Sequence, residues 1–167
     1  HFTQKSLPFS VIASHIRLGR KYDLQEFLQA MVQRLTHENP RTLEEYDLLR
    51  MPDGRYPPTL VDWYPGLIVD LLALARENNL FALLPCAYLR LLSSTLSNKA
   101  ELLTGIGRPD GSLAKLSPED QRVCILGQTE LTRRQWEAQH TFGWVAQKNA
   151  VPDPQTAHTI LRAQTPG

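Results

Sequence analysis

The sequence predicts an all-α fold, an irregular helical bundle with no substantial sheet. Apolar residues recur at intervals of three and four along most of the chain, the period of a helix with one buried face. No segment alternates apolar and polar residues with β-branched enrichment, as a half-buried strand would. No self-similarity with a period of about 20–50 residues marks a solenoid or propeller.

Phe9, Ile12, Ala13 and Ile16 follow Pro8 at helical spacing, and Gly19 is expected to end this first short helix. Leu24, Phe27, Leu28, Met31, Val32 and Leu35 then form the broadest apolar stripe in the chain, with Asp23 expected as the N-cap. After Asn39-Pro40, the run Thr42-Leu43-Glu44-Glu45 has the form of a capping box, in which a hydroxyl and a carboxylate satisfy backbone N–H groups of the first turn. A helix is expected from there to Leu49. Between Met51 and Gly66 stand Pro52, Gly54, Pro57, Pro58, Pro65 and Gly66, too many breakers for regular structure, so a loop of about fifteen residues is expected.

Leu67, Ile68, Leu71, Leu72, Leu74 and Ala75 are apolar on more than one face, as in a central helix packed on several sides, and Arg76-Glu77-Asn78-Asn79 ends it. Pro85 fits the first turn of the next helix, where its missing N–H is not needed, and Tyr88, Leu91 and Leu92 continue that helix into a hairpin with the one before. From Ser97 to Ser117 the sequence is irregular, with a turn at Pro109-Asp110-Gly111. Ser117-Pro118-Glu119-Asp120 supplies an N-cap, a first-turn proline and two carboxylates at the positive end of a long helix. Cys124, Leu131, Ala138, Phe142 and Val145 repeat near multiples of 3.5, so this helix is expected to pack its length across the others. Pro152 to Gln164 is expected to form a last, weakly held helix.

Composition narrows the function. Eighteen Lys+Arg against seventeen Asp+Glu leave a net charge of +1, which offers no overall field for steering toward nucleic acid or an anionic membrane. The longest apolar stretch, Leu67 to Leu92, is interrupted by Arg76, Glu77, Asn78, Asn79 and Arg90, well short of the roughly 18 apolar residues of a membrane span. Cys86 and Cys124 are the two cysteines, both in apolar surroundings without CxxC spacing, and read as reduced structural thiols of a cytoplasmic or nuclear, not secreted, protein. The N-terminus His1-Phe2-Thr3-Gln4-Lys5 has neither an initiator Met nor a signal pattern, so upstream sequence is expected.

The sequence carries no motif that assigns a residue a catalytic, cofactor-binding or metal-ligating role, and none is expected. His1, His15, His37, His140 and His158 are dispersed, with no HExxH motif. His37 sits where a last helical turn favours a protonated imidazole. The glycines of Gly105-Ile106-Gly107-Arg108-Pro109-Asp110-Gly111 lack the preceding strand and the GK[ST] of a phosphate loop. Arg17, Arg20 and Lys21, like Arg133-Arg134, read as solvated faces. Trp63, Trp136 and Trp144 are each expected to be packed between helices. The competing reading makes Trp63-Tyr64-Pro65 and the other two tryptophans anchors for a partner, since aromatic residues dominate interface hot spots.

The run Ile16-Arg17-Leu18-Gly19-Arg20-Lys21-Tyr22-Asp23-Leu24, followed by the stripe to Leu35, resembles the last helical hairpin of a BTB/POZ domain, whose usual form is LRLAxKYxIxxL. Tyr64-Pro65-Gly66, the stretch DLLALARENNLFALL from Asp70 to Leu84, Pro85, and LSPEDQRVCILG from Leu116 to Gly127 resemble the C-terminal part of the BTB-domain proteins expanded in mushroom-forming fungi. The likeness reaches at least to Val145. It implies three parts: residues 1–39 as the hairpin of a BTB/POZ domain whose mixed sheet and dimerising half would precede His1, 40–150 as a helical extension, and 151–167 as a weakly ordered tail.

Such a resemblance implies a non-enzymatic protein–protein interaction module, a scaffold or adaptor, with a cullin-type ubiquitin ligase as the candidate scaffold and the identity of the partner open. Dimerisation would belong to the upstream half. The alternative is a transcription-associated BTB protein acting through chromatin or DNA, a role the balanced charge disfavours. Because the hairpin of a BTB/POZ domain packs on a sheet, some of Phe9, Ile12, Ile16, Leu24, Phe27 and Met31 are expected to form an exposed apolar patch.

Overall fold

The computed structural model of the chain describes residues 5–51, 56, 60–94 and 100–135. Over these residues the fold is predominantly α-helical: α1 (Phe9–Lys21), α2 (Gln25–Glu38), α3 (Leu43–Leu49), α4 (Leu67–Glu77), α5 (Leu84–Ser94), α6 (Glu101–Thr104) and α7 (Pro118–Gln135), with a two-stranded antiparallel sheet of β1 (Ile106–Gly107) and β2 (Leu113–Ala114). The chain divides into two compact units, His1–Cys124 and Ile125–Gly167. In the second, the described residues carry an exposed fork in which Glu130 binds Arg133 and Arg134, each at 2.8 Å. Hydrogen bonds from these two guanidinium groups lower its carboxyl to about 2.

At the centre of the first unit lies α4. Six of its eleven residues, Leu67, Val69, Leu71, Leu72, Leu74 and Ala75, are buried. At 100° per residue these positions span an arc of about 220°, a broad buried face that leaves Ala73 and Glu77 on the open side. The same core cluster takes in Phe9, Ile12 and Ile16 from α1, Leu35 from α2, Leu83 from a 3₁₀ turn (Phe81–Leu83), Ala87 and Leu91 from α5, Ala114 from β2, and Cys124 from α7.

The ends of α4 and α1 are shaped by positive φ angles. Asn79 takes φ 54°, which lets Leu80 N–H reach Ala75 C=O at 2.7 Å and Asn79 N–H reach Arg76 C=O at 3.2 Å, the paired bonds of a Schellman stop. At the end of α1 the same device falls on Asp23, at φ 54°, with Leu24 N–H bonded to Gly19 C=O at 2.8 Å. Two expectations change in consequence. Gly19 lies inside α1 rather than ending it, its bare Cα admitting Leu28, whose Cβ would be 3.1 Å from an added methyl. Asp23 terminates α1 instead of capping α2, whose N-cap is Leu24, with no side-chain bond. An αL residue stops a helix, and Asp is among the few non-glycine residues that tolerate it.

The capping box is present in part. Thr42 Oγ1 accepts from Glu45 N–H at 3.2 Å, while the Glu45 carboxylate accepts from the N–H of Arg41 at 3.2 Å, one residue earlier than the reciprocal pattern. The Ser97–Ser117 segment holds more order than its glycines suggested. Beside α6 it forms the β1–β2 hairpin, closed by Arg108 N–H to Ser112 C=O at 2.8 Å and Gly111 N–H to Arg108 C=O at 3.0 Å, around the predicted Pro109-Asp110-Gly111 turn. Strands of two residues are too short to carry an alternation that a sequence could display. A lone parallel bridge, Leu7 with Val61, adds order to the expected loop: Leu7 N–H bonds Leu60 C=O at 3.1 Å and Asp62 N–H bonds Leu7 C=O at 2.9 Å. Pro52, Gly54, Pro57, Pro58, the tail from Trp136 onward and the predicted helix at Pro152–Gln164 lie outside the described residues.

Gly66, at φ 91°, turns the chain into α4 directly beneath β2, where an added Cβ would sit 2.8 Å from Ala114 Cβ. Gly111, at φ 82°, has open space around it. Replacing each by Ala separates backbone strain from collision. Both variants should lose stability, and Gly66→Ala should lose more, by about 1–3 kcal/mol in total, read as a lower urea midpoint.

Candidate functional site

The C-terminal end of α2 is a polar knot inside the core. Arg34, Leu35 and Glu38 are its buried residues, and Asn39 just beyond is buried as well. Carbonyls at a helix end have no intrahelical donor and must find one elsewhere. Arg90, reaching across from α5, donates from Nη1 to Glu38 C=O at 3.0 Å and to Asn39 Oδ1 at 2.8 Å. Its guanidinium lies 4.4 Å from the centre of the Tyr56 ring, which stacks on Tyr46 at 5.0 Å, and Tyr56 Oη donates to Glu38 C=O at 2.9 Å. Burial lowers the Arg90 pKa, opposed only in part by the groups around it, and burial raises the Tyr56 hydroxyl. Arg34 Nη1 donates to both Lys5 C=O and Leu60 C=O at 2.8 Å, and Glu38 Oε1 accepts from Leu60 N–H at 2.5 Å. This knot is structural. Its cavity space is about 10 Å³, too small for a ligand.

A second network fastens the start of α7. Ser117 accepts the Asp120 N–H at 3.1 Å, as predicted for an N-cap, and its own hydroxyl donates to Asp120 Oδ2 at 2.6 Å. Arg76 Nε from α4 donates to Asp120 Oδ1 at 2.5 Å, Arg76 Nη2 donates to Tyr88 Oη at 2.9 Å, and Tyr88 Oη donates to the same Asp120 oxygen. One nearly inaccessible carboxylate thus ties α4, α5 and α7 together. Burial alone would raise the Asp120 carboxyl. Bonds from Ser117, Tyr88 and Arg76 more than offset it, so the group stays below the usual carboxylate range. Burial raises Tyr88 to about 12.

Two surface features remain. The first is an open cleft of about 550 Å³ between α1, residues 62–64, α4 and the β1–β2 turn. Ser10, Ala13 and Arg17 line one wall, Asp62, Trp63 and Tyr64 the second, and Arg108, Pro109 and Asp110 the third. Both arginines are engaged. Arg17 holds Glu77 with Nε at 2.9 Å and Nη2 at 2.8 Å, and Arg108 holds Asp70 with Nε at 2.9 Å and Nη2 at 2.5 Å. Tyr64 Oη donates to Asp70 Oδ2 at 2.7 Å. The Trp63 indole is 66% exposed and lines the cleft, contrary to the packed position expected of it. Trp136 and Trp144 lie outside the described residues.

The second feature is the outward side of the α1–α2 hairpin. Val11, Leu18 and Tyr22 lie opposite the buried Phe9, Ile12 and Ile16 on α1, so this helix is apolar on both sides. The stripe of α2 is buried only at its far end: Leu35 is enclosed, Met31 and Val32 are half-buried, and Leu24 and Phe27 at the tip are 47% and 57% exposed. Of the six residues expected in an apolar patch, Leu24 and Phe27 are exposed, Met31 is intermediate, and Phe9, Ile12 and Ile16 are in the core.

Among the other residues singled out, Arg17 is paired with Glu77 rather than simply solvated, and Lys21 lies 5.2 Å from the Tyr22 ring. His15 Nδ1 is 2.7 Å from Val11 C=O, and His37 occupies the last turn of α2. Cys86 and Cys124 are free and buried, and burial raises both thiols to about 11. No group of three or more His, Cys, Asp or Glu among the described residues could hold a metal ion. Arg90, Asp70, Arg108 and Asp62 went unremarked in the sequence as site residues. Asp70 and Arg108 meet across 38 positions, a separation no local spacing rule can signal.

Because the folded Asp120 pKa is depressed below its unfolded value of about 3.9, its contribution to stability is present above that pH and is lost as pH falls through the folded value. Asp120→Asn should lower stability at pH 7 and flatten the acid limb of the urea midpoint plotted from pH 7 to 2. An unchanged acid limb would show that this carboxylate does not control the transition.

Compared with known proteins, the chain matches no family model, no curated protein and no solved structure.

Proposed function

We propose that the chain is a non-enzymatic protein-interaction module, a scaffold or adaptor, that docks a partner on the outward side of the α1–α2 hairpin. The observation that carries this reading is the exposure of Leu18, Tyr22, Leu24 and Phe27 within one helical turn on either side of the α1–α2 corner. Apolar side chains scattered singly on a surface need no explanation, but several gathered around one rigid corner form the kind of patch that a partner covers. The corner is rigid for reasons already given: a Schellman stop, and Gly19 against Leu28.

The partner to test first follows from the resemblance of Ile16–Leu24 to the terminal hairpin of BTB/POZ domains, many of which join cullin-type ubiquitin ligases. No membrane-crossing helix competes with this reading, since none among the described residues is long and apolar enough to cross a membrane.

Phe27→Asp is the test. Position 27 is exposed, so stability should stay within about 0.5 kcal/mol of the parent. Affinity for the N-terminal helical region of a cullin scaffold, measured by calorimetry, should fall at least about thirtyfold, as for a hot-spot aromatic. Absence of binding by the parent chain would remove the ligase assignment. Binding indifferent to Phe27→Asp would move the contact away from the hairpin.

A further inference from the structure

The cleft beside Trp63 is a separate surface from the hairpin corner. Ser10, Ala13 and Arg17, spaced three and four apart, run along the cleft side of α1, whereas Val11, Leu18 and Tyr22 run along its outward side. At about 550 Å³ the cleft is of the size that accepts a small ligand or a few side chains of a peptide.

Its charge is decided by what is already paired. Glu77 takes the fork of Arg17. Asp70 takes Arg108 Nε and Nη2, while Arg108 Nη1 donates to Ser112 Oγ and Leu113 C=O, each at 3.0 Å. Neither cation is left over. Asp62 is exposed, and its carboxylate has no hydrogen-bond or ion-pair partner among the described residues. Asp110 is exposed and bonds only to uncharged groups of Ser112, its N–H at 2.9 Å and its hydroxyl at 2.6 Å, which hold the carboxyl below its ordinary range. Arg108, already bonded to Asp70, also attracts Asp110, but the four carboxylates Glu77, Asp70, Asp62 and Asp110 still outnumber the two guanidinium groups beside the exposed Trp63 indole. The start of α1, preceded by Pro8 and without an acidic first turn, adds a partial positive charge, but a solvent-exposed helix end weighs less than two full charges.

We propose that this cleft binds a cationic side chain, a lysine ammonium or arginine guanidinium of a basic peptide segment, over the Trp63 ring with Asp62 and Asp110 as counter-charges. A tryptophan face is the strongest of the aromatic surfaces for a cation, and carboxylates beside it add attraction and select against anions. The peptide backbone would run along the open floor between α1 and the β1–β2 turn, where Ala13 and Ala73 leave room.

The full chain is titrated by calorimetry with a hexa-arginine peptide, a hexa-glutamate peptide and inorganic phosphate at about 0.15 M salt, where surface charges are screened beyond roughly 8 Å. Hexa-arginine should bind, Trp63→Ala should weaken it at least tenfold, and Asp62→Asn should weaken it several-fold. Both positions are exposed, so neither variant should shift the thermal midpoint. Phe27→Asp should leave this binding unchanged, which separates it from the hairpin reading. Binding of phosphate or hexa-glutamate in place of hexa-arginine would overturn the proposal in favour of an anion site. So would hexa-arginine binding that survives both Trp63→Ala and Asp62→Asn, and so would no binding at all.

Discussion

A helix that ends inside a protein leaves carbonyl groups without donors, and α2 ends inside this one. The Arg90 guanidinium and the Tyr56 hydroxyl answer that demand at Glu38 C=O, and Asn39 Nδ2, its own Oδ1 held by Arg90, answers it at Leu35 C=O. Leaving a buried acceptor unmet costs about 1–3 kcal/mol, comparable to a sizeable part of a domain's net stability. Much of the architecture is arranged around meeting it: α5 must present Arg90 at one depth, Tyr56 and Leu60 must lie beside Glu38, and the segment before α1 must lie where Arg34 can reach Lys5.

With that end of α2 anchored, the other end departs from the core. The helix buries Leu35, partly covers Met31 and Leu28, and leaves Phe27 and Leu24 in water. The hairpin is therefore a lever: firm where it meets α4, projecting where it turns. Its corner keeps its shape because Asp23 and Gly19 permit a tight reversal, and because Arg17 is strapped to Glu77 at the far end of α4. Exposure of apolar side chains at a projecting, well-defined corner is a different matter from exposure on a loose segment, since little ordering cost remains for a partner to overcome.

Helices were readable where burial imposes a period. The stripes of α1 and α4, the breakers after Glu77, the first-turn proline of α5 and the Ser117 cap of α7 are local signals with local causes. Positions where two local rules compete were misread. Asp23 suits both the N-cap of a following helix and the αL stop of a preceding one, and the decision fell to the close approach of α1 and α2 at Gly19. Trp63 looked like core because indole is large and apolar, yet it lies exposed at the rim of the cleft. The capping box shifted by one residue because the Glu45 side chain reaches Arg41 as easily as Thr42. Ionic contacts such as Arg76 with Asp120 and Arg108 with Asp70 join residues dozens of positions apart, and nothing in either neighbourhood names the other. The cleft inherits that opacity, since its walls come from four separate parts of the chain.

The two cysteines give the fold a chemical clock. Cys86 sits on α5 and Cys124 on α7, both enclosed and both far from the thiolate form near neutral pH. A thiol reagent in solution meets neither while the core is closed, so the rate of alkylation measures how often each helix lifts away. With one cysteine on α5 and the other on α7, the two rates compare opening of the α4–α5 hairpin with release of the α7 start from its Asp120 fastening. A cysteine added at the surface would react at once, leaving these two as silent internal references.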